Sequence, residues 1–305
     1  DDELHFTLPN TWQVDLANSD QKSRLPLSTD QIENQLTDFA HSIAKTADLQ
    51  QPILAVFTDA TRASPDQILL EPIAHVLQDA GFTIKFMCAL GMHRLSTQDE
   101  KIAKLGQWIV ANFDVLDHDP STVIQLDTID DVPLEINPLV LDATVISVGV
   151  VEPHQYAGYS GGTKTVVIGC GGPNTISKTH GPKFLNMPGT RLGRVQNNPF
   201  QNFLRQAGAR IGHQYAVNVV MGDNGEILAV ETGQPDHVHD TLVNFARNLF
   251  ECPVPNALYD VVITGVGAPK DANLYQASRA ATYIGLSGDP VIREGGVIIV
   301  PVPLP

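Results

Sequence analysis

The chain has 305 residues, 43% of them hydrophobic, which is enough for a large core and, by length, for two domains. Its formal net charge is -15 with 19 scattered Lys and Arg, so no nucleic-acid or anionic-membrane surface is expected. No apolar run approaches the ~18 residues of a membrane span, the first residues carry no leader-like pattern, and three widely spaced cysteines form neither a disulfide framework nor a CxxC pair; a cytoplasmic protein is expected.

Residues 6–16 are polar with turn residues and predict a short strand with an irregular start. Ser28-Thr29-Asp30-Gln31 has the form of a helix start, followed by Ile32, Leu36, Phe39 and Ile43 at helical spacing. Ile53 to Phe57 is a short apolar run of the kind that forms a buried parallel strand. Directly after it, Thr58-Asp-Ala-Thr-Arg-Ala-Ser-Pro65 places polar residues where a strand gives way to a helix, with Ser64 as N-cap and Pro65 as first helical residue. Ligands of open α/β sheets gather at the carboxyl ends of strands, which positions Asp59, Thr61 and Arg62 for substrate or cofactor contact. The alternative is that Asp59 and Arg62 pair with each other and tie down the turn.

A helix over residues 66–79 is expected to stop at Gly81, followed by a strand from Phe82 to Leu90. His93 and Arg94 then precede a capping box made by Thr97 and Glu100. His93 thus repeats the topological position of Arg62, although a lone loop histidine is more often structural or solvated. Asp114, Asp117, His118 and Asp119 read as a solvated turn rather than a metal cluster.

The apolar run Ala143 to Val151 leads into Glu152-Pro-His-Gln-Tyr-Ala-Gly-Tyr-Ser-Gly-Gly-Thr-Lys-Thr165. Gly158, Gly161 and Gly162 let a ligand approach the main chain closely, and Ser160 adds a hydroxyl. The run nearly meets the P-loop pattern, but Thr163 stands where that pattern has Gly and six residues separate strand from glycines, which argues against a phosphate cradle. Asn174 or Thr175 begins a helix that carries His180, and Gly181-Pro182 stops it. Beyond a helix over 197–207, Asp223-Asn-Gly225 signals a hairpin between strands 215–221 and 226–230. His237 and His239 are expected on a solvated helix start. Glu251 to Asn256 reads as a linker, dividing residues 1–255, an N-terminal cofactor-anchoring α/β domain, from 256–305, the start of a C-terminal α/β domain that is incomplete here. In that part Gly265 to Asp271 follows a strand, Asn273 opens a helix, and a strand from Gly296 leads towards another site loop.

From residue types alone, two of His93, His154 and His180 suit general bases and the third a metal ligand, while Lys164 suits a nucleophile or covalent anchor. The motifs 59–65, Gly91-Met-His-Arg94, 152–164, His180 and Pro269-Lys-Asp-Ala-Asn-Leu-Tyr-Gln276, in this order, resemble the nickel-pincer lactate racemase family. The resemblance implies a two-domain α/β fold with a Rossmann-like, mostly parallel N-terminal sheet and a second domain closing over the cleft. It also implies a pyridinium thioamide/thiocarboxylate mononucleotide attached to Lys164 and holding nickel, which His180 completes. His93 and His154 match paired acid/base histidines, and Arg62 a substrate-holding arginine. Tyr275 and Gln276 match residues brought by the second domain. Arg279 stands where the lactate enzymes carry lysine, and a forked guanidinium is not equivalent to an ammonium, so a larger or more acidic 2-hydroxy acid fits as well as lactate. The activity implied is inversion at C2 of a 2-hydroxy acid by hydride transfer, with cofactor-biosynthesis proteins as partners and no nucleic acid or membrane involved. A P-loop-like nucleotide enzyme and a non-catalytic carboxylate binder are the alternatives.

Overall fold

Six of the apolar runs between residues 53 and 233 become the strands of one sheet. The computed structural model describes residues 5–17, 24–254, 257–267, 271, 273–285 and 290–302. By their contacts the residues fall into one unit of 23–248 and another of 1–22 with 249–305.

In the larger unit, α1 (Thr29–Thr46) opens with a reciprocal cap in which Ser28 Oγ accepts from the Gln31 amide and Gln31 Oε1 from the Ser28 amide. Then follow β1 (Ile53–Thr58), α2 (Asp66–Asp79), β2 (Ile84–Ala89), α3 (Gln98–Asn112) and β3 (Asp114–Asp117). β4 (Ile124–Ile129) and β5 (Val132–Ile136) form a separate hairpin. β6 (Thr144–Val150) returns to the main sheet, a small hairpin of β7 (Pro153–His154) and β8 (Gly158–Tyr159) follows, and α4 (Lys164–Gly169), α5 (Pro173–Thr179), α6 (Pro182–Leu185) and α7 (Pro199–Ile211) come next. β9 (Tyr215–Met221), β10 (Ile227–Gly233) and α8 (Pro235–Phe250) complete the unit.

The main sheet runs β10-β9-β6-β1-β2-β3, parallel throughout except for the antiparallel β9–β10 pair. The chain builds outward from β1 through β2 to β3, then crosses to lay β6 on the other side of β1. That reversal is the topological switch point at which open α/β sheets take ligands. Successive side chains of β1 serve opposite faces: Ile53, Ala55 and Phe57 join the core under α1, α2 and α3, and Leu54 and Val56 the core that includes α4, α7 and the β4–β5 hairpin. The mostly parallel α/β architecture expected from the sequence is the one found.

The structure departs from several expectations. Residues 6–16 form a turn and irregular chain, because the polar run offers no alternating face to a sheet. α2 spans the expected residues 66–79, but Pro65 rather than Ser64 takes the cap position, with no side-chain cap. His118 is fully buried, its Nε2 donating to the Gly171 carbonyl at 3.0 Å and its Nδ1 accepting from Asn137 at 3.3 Å. It bridges two segments instead of facing solvent. His239 is 1% exposed, because helical spacing sets it on the inward face of α8 with Leu242, Val243 and Ala246, whereas His237 faces solvent as expected.

In the smaller unit, β11 (Tyr259–Ile263) and β12 (Ile292–Ile299) pair in parallel with α9 (Leu274–Gly285) between them in the chain. The Tyr259 hydroxyl donates to Asp15 at 2.9 Å, which ties the N-terminal segment to this unit. Residues 255–256 of the expected linker, 268–270 and 272 of the motif before α9, and 303–305 lie outside the described residues.

Candidate active site

At the carboxyl end of β1 the chain turns sharply because Asp59 folds onto its own loop. Asp59 Oδ1 accepts from the Thr61 amide at 2.9 Å and the Thr61 hydroxyl at 2.6 Å, while Oδ2 meets His93 Nδ1 at 2.5 Å. Burial opposes ionisation of this carboxyl, but the His93 and Thr61 hydrogen bonds outweigh it and hold Asp59 below the usual range. A carboxylate at Oδ2 fixes the proton of the imidazole on Nδ1 and leaves Nε2 with its lone pair. The His93 side chain is half exposed, so that lone pair sits on an accessible ring. Asp59 and Arg62 make no ion pair with each other among the described residues; the Arg62 amide donates to the Asp59 carbonyl at 3.1 Å. Asp59 serves the histidine of the loop after β2, not the arginine beside it.

Beyond β6 the glycine-rich run is a hairpin, so the strand does not turn directly into the glycine-bearing helix start that a P-loop requires. Its glycines are taken up by the protein itself. A Cβ on Gly158 would fall 2.1 Å from the Arg194 carbonyl oxygen, and one on Gly161 2.6 Å from Val151. The Gly162 amide donates to Asn218 at 2.6 Å. The Ser160 hydroxyl is likewise committed, donating to the Val150 carbonyl at 2.7 Å and accepting from the Glu152 amide at 3.1 Å. These residues seat the loop and thereby aim His154 and Lys164, the first residue of α4.

His154 is set in the opposite sense to His93. Its Nδ1 accepts from the amides of Tyr156 and Ala157, both at 3.2 Å, which places the ring proton on Nε2. Its ring is 5.9 Å from that of Tyr156, and Tyr156 and Phe200 also flank His180, at 5.8 Å and 5.1 Å. His180 caps the end of α5 and its Nδ1 donates to the Ile176 carbonyl at 3.0 Å, leaving Nε2 as an acceptor. Burial, reinforced by the nearby Lys164 charge, pushes His180 down to about 4, so the ring is neutral at physiological pH. A half-buried neutral imidazole with its second nitrogen tied to a carbonyl is the state a metal ligand needs. No group of three or more His, Cys, Asp or Glu able to hold a metal exists among the described residues. A metal at His180 would therefore need donors beyond the described His, Cys, Asp and Glu side chains, and a ligand attached at Lys164 would supply them. The donor chemistry fits the group that the sequence motifs imply.

On α9, Tyr275 is 70% exposed and the Arg279 guanidinium lies 5.4 Å from its ring centre. The Gln276 amide caps onto Asn273 at 2.9 Å. These three residues share one helix start in the smaller unit.

Two supports escape a reading of the sequence. Asn218 is fully buried in β9 and carries the Gly162 amide; the signal was a lone amide side chain inside the run Ala216 to Met221. Lys104 reaches from α3 to the loop that holds Asp59 and Arg62, with no motif to mark it.

The sheet reversal and the cluster of polar side chains at the carboxyl ends of β1, β2 and β6 define a Rossmann-like α/β protein with a candidate site at its switch point. The family model for the lactate racemase N-terminal domain matches residues 1–193, and the chain belongs to the lactate racemase family. It is 29% identical over 262 residues to the lactate racemase of Thermoanaerobacterium thermosaccharolyticum, covering 83% of this chain and 60% of that protein. It is 30% identical over 257 residues to the lactate racemase of Lactiplantibacillus plantarum, covering 81% and 59%. The chain thus spans about three fifths of the length of these curated relatives. Its fold superposes on the lactate racemase apoprotein from T. thermosaccharolyticum with a TM-score of 0.84 at 26% identity, over 99% of this chain and 72% of that one. A crystal structure of a protein from Thermotoga maritima shares the fold, with a TM-score of 0.73 at 20% identity over 90% and 70%. No helix among the described residues is long and apolar enough to cross a membrane.

Proposed function

We propose that this protein is a cytoplasmic racemase or epimerase that inverts C2 of a small 2-hydroxy acid. The observation that carries the reading is the opposed setting of two imidazoles: His93 offers a lone pair at Nε2, and His154 carries its proton there. Inversion needs one group to take the hydroxyl proton of one enantiomer and another to return a proton for its mirror image. Asp59 stabilises His93 once that ring has gained its second proton, as a carboxylate does for an imidazolium.

In this reading Lys164 holds the nickel-pincer nucleotide through a thioamide, installed by cofactor-biosynthesis proteins, and His180 Nε2 binds its nickel. When bound, the group supplies a hydride acceptor for the hydrogen on C2. Arg62, Tyr275, Gln276 and Arg279 hold the substrate, with Arg62 and Arg279 suited to its carboxylate. Asp59 and Thr61 shape the loop that carries Arg62, and Gly158, Ser160, Gly161 and Gly162 act on the cofactor by seating the lysine loop. With Arg279 where the lactate enzymes carry lysine, a larger or more acidic 2-hydroxy acid suits the site as well as lactate.

The test is coexpression with the cofactor-building enzymes, followed by intact mass, nickel content and chiral separation of a panel of 2-hydroxy acids. A mass adduct lost in Lys164→Arg, bound nickel, and racemisation of one panel member from either enantiomer are the expected results. An unmodified Lys164 with no turnover of any member would overturn the assignment.

A further inference from the structure

The ammonium of Lys104 is surrounded by four oxygens. It lies 2.8 Å from Asp66 Oδ2, 3.0 Å from Thr58 Oγ1, 3.1 Å from the Arg62 carbonyl and 3.0 Å from the Ser64 carbonyl. Asp66 is fully buried and the Lys104 side chain only 10% exposed. Asp66 Oδ2 also accepts from the Thr58 amide at 3.2 Å and hydroxyl at 2.9 Å, so it closes the last residue of β1 onto the first residue of α2. Everything between those closing points is the loop that holds Asp59, Thr61 and Arg62.

The approach of α3 is made possible two residues further along. Gly106 has φ +79°, which kinks α3, and a Cβ there would lie 2.4 Å from the Gln67 side chain. Only glycine lets the helix turn there and come this close to the start of α2, and that closeness delivers Lys104 to the loop. A buried ion pair is a poor way to gain stability alone, since apolar residues of similar volume often do as well. Here the charge also holds two main-chain carbonyls that no apolar side chain would hold.

We infer that Lys104, locked by Asp66, is a positioning residue: it draws the carbonyls of Arg62 and Ser64 inward and so fixes the direction in which Arg62 and the Asp59–His93 pair are presented. This rests on the proposed function only for what the loop presents; the clamp itself does not. The primary test uses the protein without cofactor. Hydrogen exchange of Lys104→Met is compared with Lys104→Arg and with the double variant Lys104→Met/Asp66→Leu, which leaves no unpaired buried charge if the single variant fails to fold. Exchange of the amides of residues 59–64 is expected to rise at least tenfold in the folded methionine variants, beyond any change across the rest of 23–248, with Lys104→Arg restoring part of the protection. A uniform change, or unaltered exchange at 59–64, overturns the inference. In loaded enzyme the same variants are expected to raise KM about tenfold with kcat within about threefold and nickel content unchanged; a loss confined to kcat overturns the positioning role. Faster exchange in a protein whose wild type never racemises would leave the clamp standing and remove the proposed function instead.

Discussion

Acid weakens this fold through histidines that lie outside the proposed chemistry. His213 and His239 are 8% and 1% exposed, and burial pushes each from 6.5 to about 4. The Arg205 charge adds to the effect at His239, against Asp240. Neither ring nitrogen of His239 makes a hydrogen bond of ordinary geometry, although the main chain of Tyr159 and Ser160 lies close, so nothing there stabilises an added proton strongly. A histidine whose folded pKa is depressed contributes stability that is fully present above its unfolded pKa. That contribution is lost as the pH falls from about 6.5 towards 4, since the unfolded chain then binds the extra proton. Integrating that difference from pH 8 to pH 5 gives about 2 kcal/mol for each histidine. Burial holds Asp66 and Asp236 above the usual carboxylate range, so they bind protons more readily in the folded state than in the unfolded chain and act in the opposite sense to the histidines. Comparing wild type with His239→Leu, whose side chain suits the neighbouring Leu242 and Val243, cancels most of that background. Urea unfolding at pH 8, 6.5 and 5 is expected to show the variant losing about 2 kcal/mol less than wild type between the extremes. Parallel curves for the two proteins across that range would refute the assignment of a buried neutral His239.

Three further outcomes follow from the site. Gly158→Ala combines φ +79° with a Cβ that would overlap the Arg194 carbonyl, so it should cost about 2–4 kcal/mol in urea unfolding, well beyond the ~1 kcal/mol of a left-handed alanine alone. Asp59→Asn keeps the Thr61 turn but removes the carboxylate from His93; racemisation by loaded enzyme should fall roughly 100-fold, and the ring nitrogen shifts of His93 measured by NMR should show its Nδ1–H preference weakened. His180→Gln should leave the mass adduct on Lys164 but lower bound nickel at least tenfold, read by metal analysis and intact mass on the same sample.

Local chemistry made much of the scaffold legible. The capping boxes at Ser28 and Thr97, the extent of α2, and the Asn224-Gly225 turn between β9 and β10 follow from short-range hydrogen bonds and allowed backbone angles, which a few neighbouring residues determine. The β4–β5 hairpin escaped because it turns on Asp130 and Asp131 at positive φ with no glycine to mark it. The α4 run Val166 to Ile168 is too short for periodicity to reveal a helix.

The candidate site divides the same way. Its motifs, and through them the family, were readable because Asp59, Arg62, His93 and His154 sit within a few residues of a strand end and the order of the motifs carries the rest. Tertiary structure alone decided which groups serve one another: Asp59 meets His93 rather than Arg62, Lys104 crosses from α3 to grip the Arg62 loop, and His239 turns inward. The loop of residues 152–165 changed most in meaning. Its glycines predict space for a ligand, yet Gly158, Gly161 and Gly162 press against Arg194, Val151, Asn218 and His239. A sequence records that a residue lacks a side chain, but what fills the space is set largely by segments distant in the chain, those of Arg194, Asn218 and His239, and only the folded chain brings them there.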